Sequence, residues 1–227
     1  MNIRQLFDKD SSTYSYLLFD SVSREAAIID AVREQLERDV RLIEELGLTL
    51  KYALETHVHA DHVTGAGALR ERLGAQVVYH RASGSACADL LVSDGDLLPL
   101  GGSAVEVRHT PGHTAGDVSY VIDGAAFTGD ALLIRGCGRT DFQQGNADVL
   151  YQSIKDKLFS LPDETTVYPG HDYNGFTTST IGEEKRLNPR LGQGRDQAGF
   201  VAIMDAMDLP RPRHIDVAVP GNLRCGT

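Results

Sequence analysis

Side chains that bind transition metals are concentrated in one short segment of the sequence. His57, His59, Asp61 and His62 lie within six consecutive residues, and this segment holds three of the eight histidines of the chain. Neutral imidazole and carboxylate groups are ligand types that suit zinc and iron. In an extended backbone alternate side chains share a face, so His57, His59 and Asp61 can converge where the chain leaves the predicted strand 51–55. The spacing therefore predicts a metal site rather than a polar strand end at the surface.

Three more candidate ligands lie further along the chain, each just beyond a predicted strand. His113 follows a Pro-Gly turn in the motif TPGHT, Asp130 ends the motif TGD, and His171 lies in the motif PGHD. A rigid sheet holds the loops at its strand ends in fixed positions, so these residues can join the first cluster at one edge. A single histidine after a turn is more often a surface or core residue, so the prediction depends on the combination.

The elements that must position these residues are short strands that alternate with helices. Hydrophobic patterning predicts strands at 15–20, 25–29, 51–55, 76–79, 103–109, 118–122, 125–128 and 165–168. It predicts helices that end near Gly47 and Gly74, and further helices around 149–158 and 197–207. Strands come first and mixed elements follow, which favours an α/β domain with much antiparallel sheet over a regular doubly wound parallel sheet.

Composition limits the possible functions. The chain has 227 residues and a formal net charge of −10, and 41% of its residues are hydrophobic. The excess of acid argues against nucleic-acid binding as the main role, because neutralising phosphates needs a basic face. No apolar run approaches the roughly 18 residues that span a bilayer, and the first residues lack the pattern of a secretory signal. Cys87, Cys137 and Cys225 are far apart and form no CxxC motif, so we expect reduced thiols in a cytoplasmic protein.

The motifs THVHADH, TPGHT, TGD and PGHD together resemble the signature of the metallo-β-lactamase superfamily. Within it, the chain resembles the persulfide dioxygenases over 56–69, 126–145 and 168–190, and in the C-terminal motif VPGNLRCG. The stretch RGCGRTDFQQG together with HDYNGFT is the more specific part of this resemblance. The resemblance implies an α/β (α+β) fold, a four-layer αββα sandwich with the metal site at one edge of the two sheets. It also implies one domain over 1–227 with a short C-terminal tail.

The resemblance further implies a single Fe(II) bound by His57, His113 and Asp130, two imidazoles and one carboxylate. The remaining candidates would then orient ligands, hold water and move protons. These are His59, Asp61, His62 and His171. All of these side chains together could instead hold two zinc ions, as in glyoxalase II, a relative that hydrolyses glutathione thioesters. Zinc has no accessible redox change and would generate a hydroxide nucleophile. The ligand types leave both arrangements open, and the resemblance favours iron.

The activity that the resemblance implies is conversion of glutathione persulfide, O2 and water to glutathione and sulfite. Arg139 follows Asp130 closely in the sequence, and a guanidinium can bind a substrate carboxylate through two parallel hydrogen bonds. A structural salt bridge to Asp141 is the alternative for this residue. Tyr173 follows His171 by two residues, so its hydroxyl can reach the same cavity mouth. We therefore expect Arg139 and Tyr173 to bind the glutathione moiety.

The expected partners are a sulfur donor and a second copy of the chain, and two alternative functions remain. No rhodanese segment accompanies the chain, so a separate sulfurtransferase is expected to supply the persulfide, and family likeness implies a homodimer. A dizinc hydrolase of the glyoxalase II type is the first alternative, although that family usually carries a larger helical C-terminal region. An inactive metal-binding protein is the second alternative, and the complete ligand set argues against it. Asp117 near His113 is unusual for the family, and Cys137 between two glycines is expected to be a small buried packing residue.

Overall fold

Two six-stranded β-sheets form the centre of the computed structural model, which describes residues 1–226. The first sheet contains, in chain and spatial order, β1 (Asn2–Asp8), β2 (Thr13–Phe19), β3 (Glu25–Ile29), β4 (Thr49–Leu54), β5 (Gln76–His80) and β6 (Leu90–Val92). The second contains β7 (Leu97–Leu100), β8 (Ser103–His109), β9 (Val118–Ile122), β10 (Ala125–Gly129), β11 (Thr166–Pro169) and β12 (Ser179–Thr180). Neighbours are antiparallel from β1 to β3 and parallel from β3 to β6. In the second sheet the order is β12-β11-β10-β9-β8-β7, and only β10 and β11 run parallel among these described strands.

Helices cover the outer face of each sheet. They are α1 (Leu36–Glu45), α2 (Ala66–Leu73), α3 (Ala147–Ser153), α4 (Ile181–Leu187), α5 (Gln197–Asp205) and α6 (Ile215–Asn222). One hydrophobic cluster lies between the sheets, a second joins the first sheet to α1 and α2, and a third joins the second sheet to α3, α4 and α5. The predicted α/β sandwich, with two sheets flanked by helices, is therefore confirmed. No helix within residues 1–226 combines the length and the apolar character that crossing a membrane requires.

Alternation along the central strands explains why the layers form. In β2, Tyr14, Tyr16 and Leu18 face the core between the sheets, whereas Leu17 and Phe19 contact the helical layer. Successive side chains of a strand point to opposite faces, so a strand covered on both sides is apolar throughout. Every residue of β2 is buried. The sequence predicts strands from apolar runs of this kind and, for β8, from alternation of apolar and polar residues.

Elements with weaker patterns were missed by the sequence analysis. The strands β3, β8 and β9 have their predicted bounds, but β1, β6, β7, β12, α4 and α6 were not predicted. The edge strand β1 is polar and half exposed, and β6 has only three residues. The segment predicted as a C-terminal tail contains α6, which Pro220 and Gly221 conceal in the sequence because both residues disfavour a helix interior.

The expectation of reduced thiols is wrong for two of the cysteines. Cys87 and Cys225 form a disulfide, and Cys137 is free and buried. The two partners are 138 residues apart in sequence, so no local spacing motif reveals the pair. Folding brings their Cα atoms to 5.9 Å, because the residues after α6 return to the start of α2, where Gly67 N donates to the carbonyl oxygen of Cys225.

Candidate metal centre

The predicted site residues lie at one edge that the two sheets share. The first four candidates follow β4, and His113, Asp130 and His171 follow β8, β10 and β11. These three strands of the second sheet point the same way, because β9 is antiparallel to both β8 and β10 and β11 is parallel to β10. A backbone hydrogen bond of 2.8 Å from Val118 N to Thr56 O joins the two sheets beside the site. The topology therefore gathers residues that are distant in sequence.

His57, His113 and Asp130 form a compact group. Their candidate ligand atoms all lie within 4.8 Å of one another. His113 Nε2 is 3.6 Å from Asp130 Oδ2, and the rings of His57 and His113 meet edge to face with centroids 5.0 Å apart. Two imidazoles and one carboxylate that converge in this way are the donor set of a facial site for non-haem iron.

The backbone fixes the tautomer of His113. Its Nδ1 lies 2.7 Å from the carbonyl oxygen of Arg139. A carbonyl oxygen can only accept, so Nδ1 carries the proton and Nε2 keeps its lone pair on the side of Asp130. Gly138 makes this close approach possible, since a Cβ there would lie 2.9 Å from His113 Cγ and 2.5 Å from the Asp130 carbonyl oxygen.

A hydrogen-bonded chain fixes His57 in the same way. Thr56 Oγ1 donates to Asp30 Oδ2 at 2.7 Å and therefore accepts from His57 Nδ1 at 2.9 Å, which leaves the Nε2 lone pair of His57 for a metal. Gly129, with φ of +50°, lies against this chain, because a Cβ there would be 2.7 Å from Thr56 Oγ1. Asp30 was not among the predicted site residues, although it directly follows a buried strand, as Asp130 does.

The protonation states of the group suit metal binding. Burial lowers the pKa of His57, and the neighbouring His59 and His113 lower it further. Burial by itself raises the pKa of Asp130, but the neighbouring imidazoles, above all His171 through its charge and its hydrogen bond, together lower it by more. Neutral imidazole and ionised carboxylate are the forms that bind metals. The residues present therefore fit a divalent transition metal.

His171 bridges two carboxylates. Its Nδ1 is 2.7 Å from Asp130 Oδ1, and its Nε2 is 3.1 Å from both Asp61 Oδ2 and Thr13 Oγ1. Burial lowers the pKa of His171, but the two carboxylates raise it by more, so that it lies well above the usual value. An imidazolium that donates both N–H groups has no lone pair for a metal. In this arrangement His171 orients Asp130 toward the other two ligands.

His59 and His62 are buried beside the group. His59 Nε2 lies 3.1 Å from Asp30 Oδ1 and 3.5 Å from Glu55 Oε2, and His62 Nδ1 lies 3.0 Å from Asp61 Oδ2. Neither ring nitrogen of His59, nor Nε2 of His62, has a hydrogen-bond partner of good geometry within residues 1–226. The structure thus brings all the remaining candidates next to the group. It adds Glu55, which was not among the predicted site residues.

A cavity of about 510 Å³ has the candidate ligands in its lining. Its other walls come from the loop 133–139 after β10, the loop 171–174 after β11, and the segment 207–212 between α5 and α6. Small-molecule sites commonly have volumes of roughly 300–1,000 Å³. The cavity is therefore large enough for a small organic substrate to reach the candidate ligands.

Both predicted substrate-binding residues line this cavity. Arg139 Nε and Nη2 each lie 2.6 Å from a carboxylate oxygen of Asp141, so the salt bridge considered as the alternative is present. Arg139 Nη1 also donates to the carbonyl oxygen of Pro210 at 2.7 Å. Tyr173 is 73% exposed, and its ring is parallel to that of His171 with centroids 6.0 Å apart. Arg139 thus holds the segment 207–212 against the cavity, and Tyr173 forms part of the rim.

Cys137, expected to be a buried packing residue, and Asp117, which is unusual for the family, are both buried beside the site. Cys137 Sγ contacts Met204 Sδ at 3.7 Å, and burial raises the pKa of its thiol to about 11, which makes it unreactive. Asp117 accepts hydrogen bonds from Thr114 N and Thr114 Oγ1, both at 2.6 Å, and burial raises the pKa of Asp117 to about 6. Asp117 therefore shapes the turn that carries His113 and does not face solvent.

The fold and the site agree with one family model. The model of the metallo-beta-lactamase superfamily matches residues 8–171, which include every candidate ligand from His57 to His171. Two sheets flanked by helices, with histidines and aspartates at a shared edge, define this class of protein.

More specific likenesses come from individual proteins. Over 227 residues the chain is 55% identical to the mitochondrial persulfide dioxygenase ETHE1 of Homo sapiens. The alignment covers 99% of this chain and 88% of that relative. The crystal structure of ETHE1 from Myxococcus xanthus matches with a TM-score of 0.97 and 53% identity over 100% of both chains. A hydroxyacylglutathione hydrolase of Rhizobium meliloti is 36% identical over 208 residues, 87% of this chain and 79% of the relative. The chain therefore belongs to the persulfide dioxygenase family of this superfamily.

Proposed function

We propose that the chain is an iron-dependent persulfide dioxygenase that holds one Fe(II) and converts glutathione persulfide, O2 and water to glutathione and sulfite. The observation that carries the proposal is the group His57, His113 and Asp130, whose ligand atoms lie within 4.8 Å of one another in the lining of the cavity. The 55% identity to a protein named as a persulfide dioxygenase supports the reaction.

The metal would supply redox chemistry, and the chain would supply position and charge. Fe(II) bound by His57, His113 and Asp130 would provide the electron transfer toward O2 that zinc lacks. Thr56 and the backbone of Arg139 hold the two imidazoles in the tautomer that exposes Nε2. His171 holds the second oxygen of Asp130 and keeps the carboxylate ionised. These contacts fix the ligands before a substrate arrives.

The cavity wall offers the cationic group that an anionic substrate needs. Glutathione carries carboxylates, and the chain as a whole has a net charge of −10, so binding requires a local positive charge. Arg139 lines the cavity, and one of its N–H groups donates to the backbone carbonyl of Pro210, a weaker acceptor than a carboxylate. A substrate carboxylate would replace this carbonyl, and Tyr173 would donate its hydroxyl from the rim. We assign ground-state binding of glutathione to these two residues.

Metal analysis combined with an oxygen-electrode assay on glutathione persulfide tests the proposal. We expect iron at about one ion per chain, with O2 uptake matched by sulfite formation. Zinc at about two ions per chain, without O2 uptake but with hydrolysis of glutathione thioesters, would instead establish the dizinc hydrolase.

We also propose that the protein is cytoplasmic, forms a homodimer and receives its persulfide from a separate sulfurtransferase. Cell fractionation and light scattering test the first two statements, and sulfur transfer measured in a coupled assay tests the third. A cytoplasmic location would expose the Cys87–Cys225 disulfide to cellular thiols.

A further inference from the structure

The C-terminal end of α6 and the residues that follow it pack against residues 56–65, which we name the metal-binding loop. Asn222 is fully buried, and its side chain makes three hydrogen bonds to the backbone of this loop. Asn222 Oδ1 accepts from Thr64 N at 2.8 Å, and Nδ2 donates to the carbonyl oxygens of His59 and His62, both at 2.9 Å. We name residues 222–226 the C-terminal clasp.

Further contacts extend the clasp along the loop and into α2. The carbonyl oxygen of Cys225 accepts from Gly67 N at 2.9 Å, and the carbonyl oxygen of Gly226 accepts from Arg33 Nη1 at 2.8 Å. Gly226 has φ of +80°, and a Cβ there would lie 2.1 Å from the carbonyl oxygen of Thr64. The clasp therefore packs directly on the backbone of the metal-binding loop, the segment that also carries His57.

The disulfide is the covalent anchor of the clasp. It joins Cys225 to Cys87, which lies in the segment before β6 and follows the exposed residues Gly84 and Ala86. Cys225 is fully buried, whereas Cys87 is half-buried, so a thiol in solution meets the Cys87 sulfur first. Disulfides in cytosolic proteins are usually transient or redox-sensing.

We propose that Asn222 is a positioning residue for the metal-binding loop, and that reduction of the Cys87–Cys225 disulfide by a small thiol loosens the clasp and weakens metal retention. The inference rests on the proposed metal site. A thiolate of the glutathione class attacks Cys87 Sγ and breaks the S–S bond, and Cys225 leaves as a thiolate that takes up a proton. A second thiol attacks the mixed disulfide, releases Cys87 as a thiol, and leaves the small molecule as its disulfide. Two small thiols thus supply the two electrons.

The proposed reaction itself releases glutathione, so its product belongs to the class of reductant that would open the clasp. Because Cys87 and Cys225 lie outside the cavity lining, the effect of reduction must pass through the loop backbone. The bond from Thr64 N to Asn222 Oδ1 and the bond from Gly67 N to the Cys225 carbonyl are the two links that an experiment can monitor.

Amide hydrogen exchange tests the clasp without reference to catalysis. We compare the protein as isolated, the protein treated with glutathione, and the variants Cys87→Ser and Asn222→Asp, each with and without metal. Exchange of the Thr64 amide should rise roughly tenfold in all three altered samples, on a time scale on which the core amides of β9 and β10 remain protected. Exchange of the Gly67 amide should also rise in the two samples that lack the disulfide.

Asn222→Asp keeps the acceptor for Thr64 N, but it places a carboxylate against two carbonyl oxygens. Unchanged exchange at Thr64 after reduction would overturn the proposal.

Metal release is the second measurement. Transfer of Co(II) from the loaded protein to a chelator should be roughly 3–10-fold faster after glutathione treatment. The Cys87→Ser variant should release Co(II) at the faster rate and should not respond to glutathione, which separates the disulfide from other effects of the thiol. Ile43→Ala is the matched control, because it opens a cavity in the core under α1 and Ile43 takes no part in the hydrogen bonds of the clasp.

The possible outcomes separate the clasp from the proposed function. If Ile43→Ala accelerates Co(II) release as much as reduction does, general destabilisation is the cause. That result would overturn the positioning role of Asn222. Faster exchange at Thr64 with unchanged Co(II) release would overturn the link to the metal. A protein that binds Co(II) but produces no sulfite would contradict the dioxygenase reaction and leave the test of the clasp intact.

Discussion

At the scale of the residue, the hydrogen-bond partners of the two ring nitrogens decide whether a histidine keeps a lone pair for a metal. His57 and His113 donate Nδ1 to Thr56 and to a backbone carbonyl, so both keep a lone pair on Nε2. His171 donates both nitrogens to acceptors that include Asp130 and keeps none. We therefore propose that the same side chain serves as a ligand in two positions and as a positively charged support in the third. This difference predicts different effects for the two aspartates at the site.

Asp130→Asn should abolish iron binding and activity together, because it removes the anionic ligand. Asp61→Asn should retain iron and lose roughly 10–100-fold in activity, since Asp61 acts through His171 and His62. Iron content by elemental analysis and O2 uptake on the same samples measure both effects. Equal loss of metal in the two variants would instead indicate a site that uses the full set of candidate ligands.

Arg139→Ala should raise KM for glutathione persulfide by roughly tenfold and change kcat by less, because the guanidinium binds the substrate and not the reacting sulfur. Asp141→Asn is the matched control, since it breaks the salt bridge while it keeps the charge of Arg139. Steady-state O2 uptake over a range of substrate concentrations measures KM and kcat for each variant. An unchanged KM for Arg139→Ala would assign the residue to the support of the segment 207–212.

At the scale of the element, close packing between loops helps to hold the candidate ligands in place. The loop after β10 passes under the ring of His113 at Gly138, where any side chain would collide with it. Gly136, two residues earlier in the same loop, has its nearest neighbour at 3.8 Å from a built Cβ and so has room for a methyl group. The two glycines therefore form a matched pair.

Gly138→Ala should displace His113 or the backbone of Asp130, and we expect metal affinity to fall at least roughly tenfold. Gly136→Ala should bind metal as the parent protein does. Equilibrium competition with a chromogenic chelator gives the affinities, and circular dichroism shows whether both variants are folded. Parent-like affinity in a folded Gly138→Ala variant would mean that the loop can move without cost to the site.

Two strand ends meet in a pair of stacked imidazoles, and this contact predicts a dependence of stability on pH. His80 ends β5 and His109 ends β8, and their ring centroids are 3.9 Å apart. Burial, with His109 and Arg81 nearby, lowers the pKa of His80 to about 4 from 6.5. Between these values the unfolded chain binds a proton that the folded chain does not, so the free energy of unfolding falls as pH falls from 6.5 to 4.

His80→Asn should make this pH dependence shallower, because asparagine keeps an acceptor for Ala82 N but does not titrate. Urea unfolding of the metal-free protein at a series of pH values measures the slope. His214→Asn, an exposed position, is the control and should leave the slope unchanged. An unchanged slope in His80→Asn would contradict the lowered pKa of His80.

The limits of prediction from sequence follow from how local each signal is. The segment after β4 could be predicted as a metal site because its ligands are adjacent in the chain. Asp30 was missed because its role depends on a contact with Thr56 that only the folded chain makes. The disulfide between Cys87 and Cys225 was missed for the same reason. Strands with both faces buried were predicted, whereas the polar edge strand β1 and the proline-containing α6 were not.

At the scale of the whole molecule, the two sheets depend on each other. Tyr16 from the first sheet and Tyr120 and Phe127 from the second are fully buried in one shared cluster. Neither sheet could keep this cluster away from water alone, so we propose that residues 1–227 form one domain that unfolds in a single transition. The disulfide spans 138 residues of this unit and ties its last helix to the first sheet.

Reduction of the disulfide should therefore lower the stability of the whole molecule and not of one part. For a loop of 138 residues, we expect the free energy of unfolding to fall by about 2–4 kcal/mol, still with one cooperative transition. Urea unfolding with and without reductant measures this change, and Cys87→Ser should be insensitive to the reductant. Thiol titration of the denatured, unreduced protein should find one free thiol, that of Cys137, because the other two cysteines are joined. Three free thiols would contradict the disulfide and restore the reduced state that the cysteine spacing predicts.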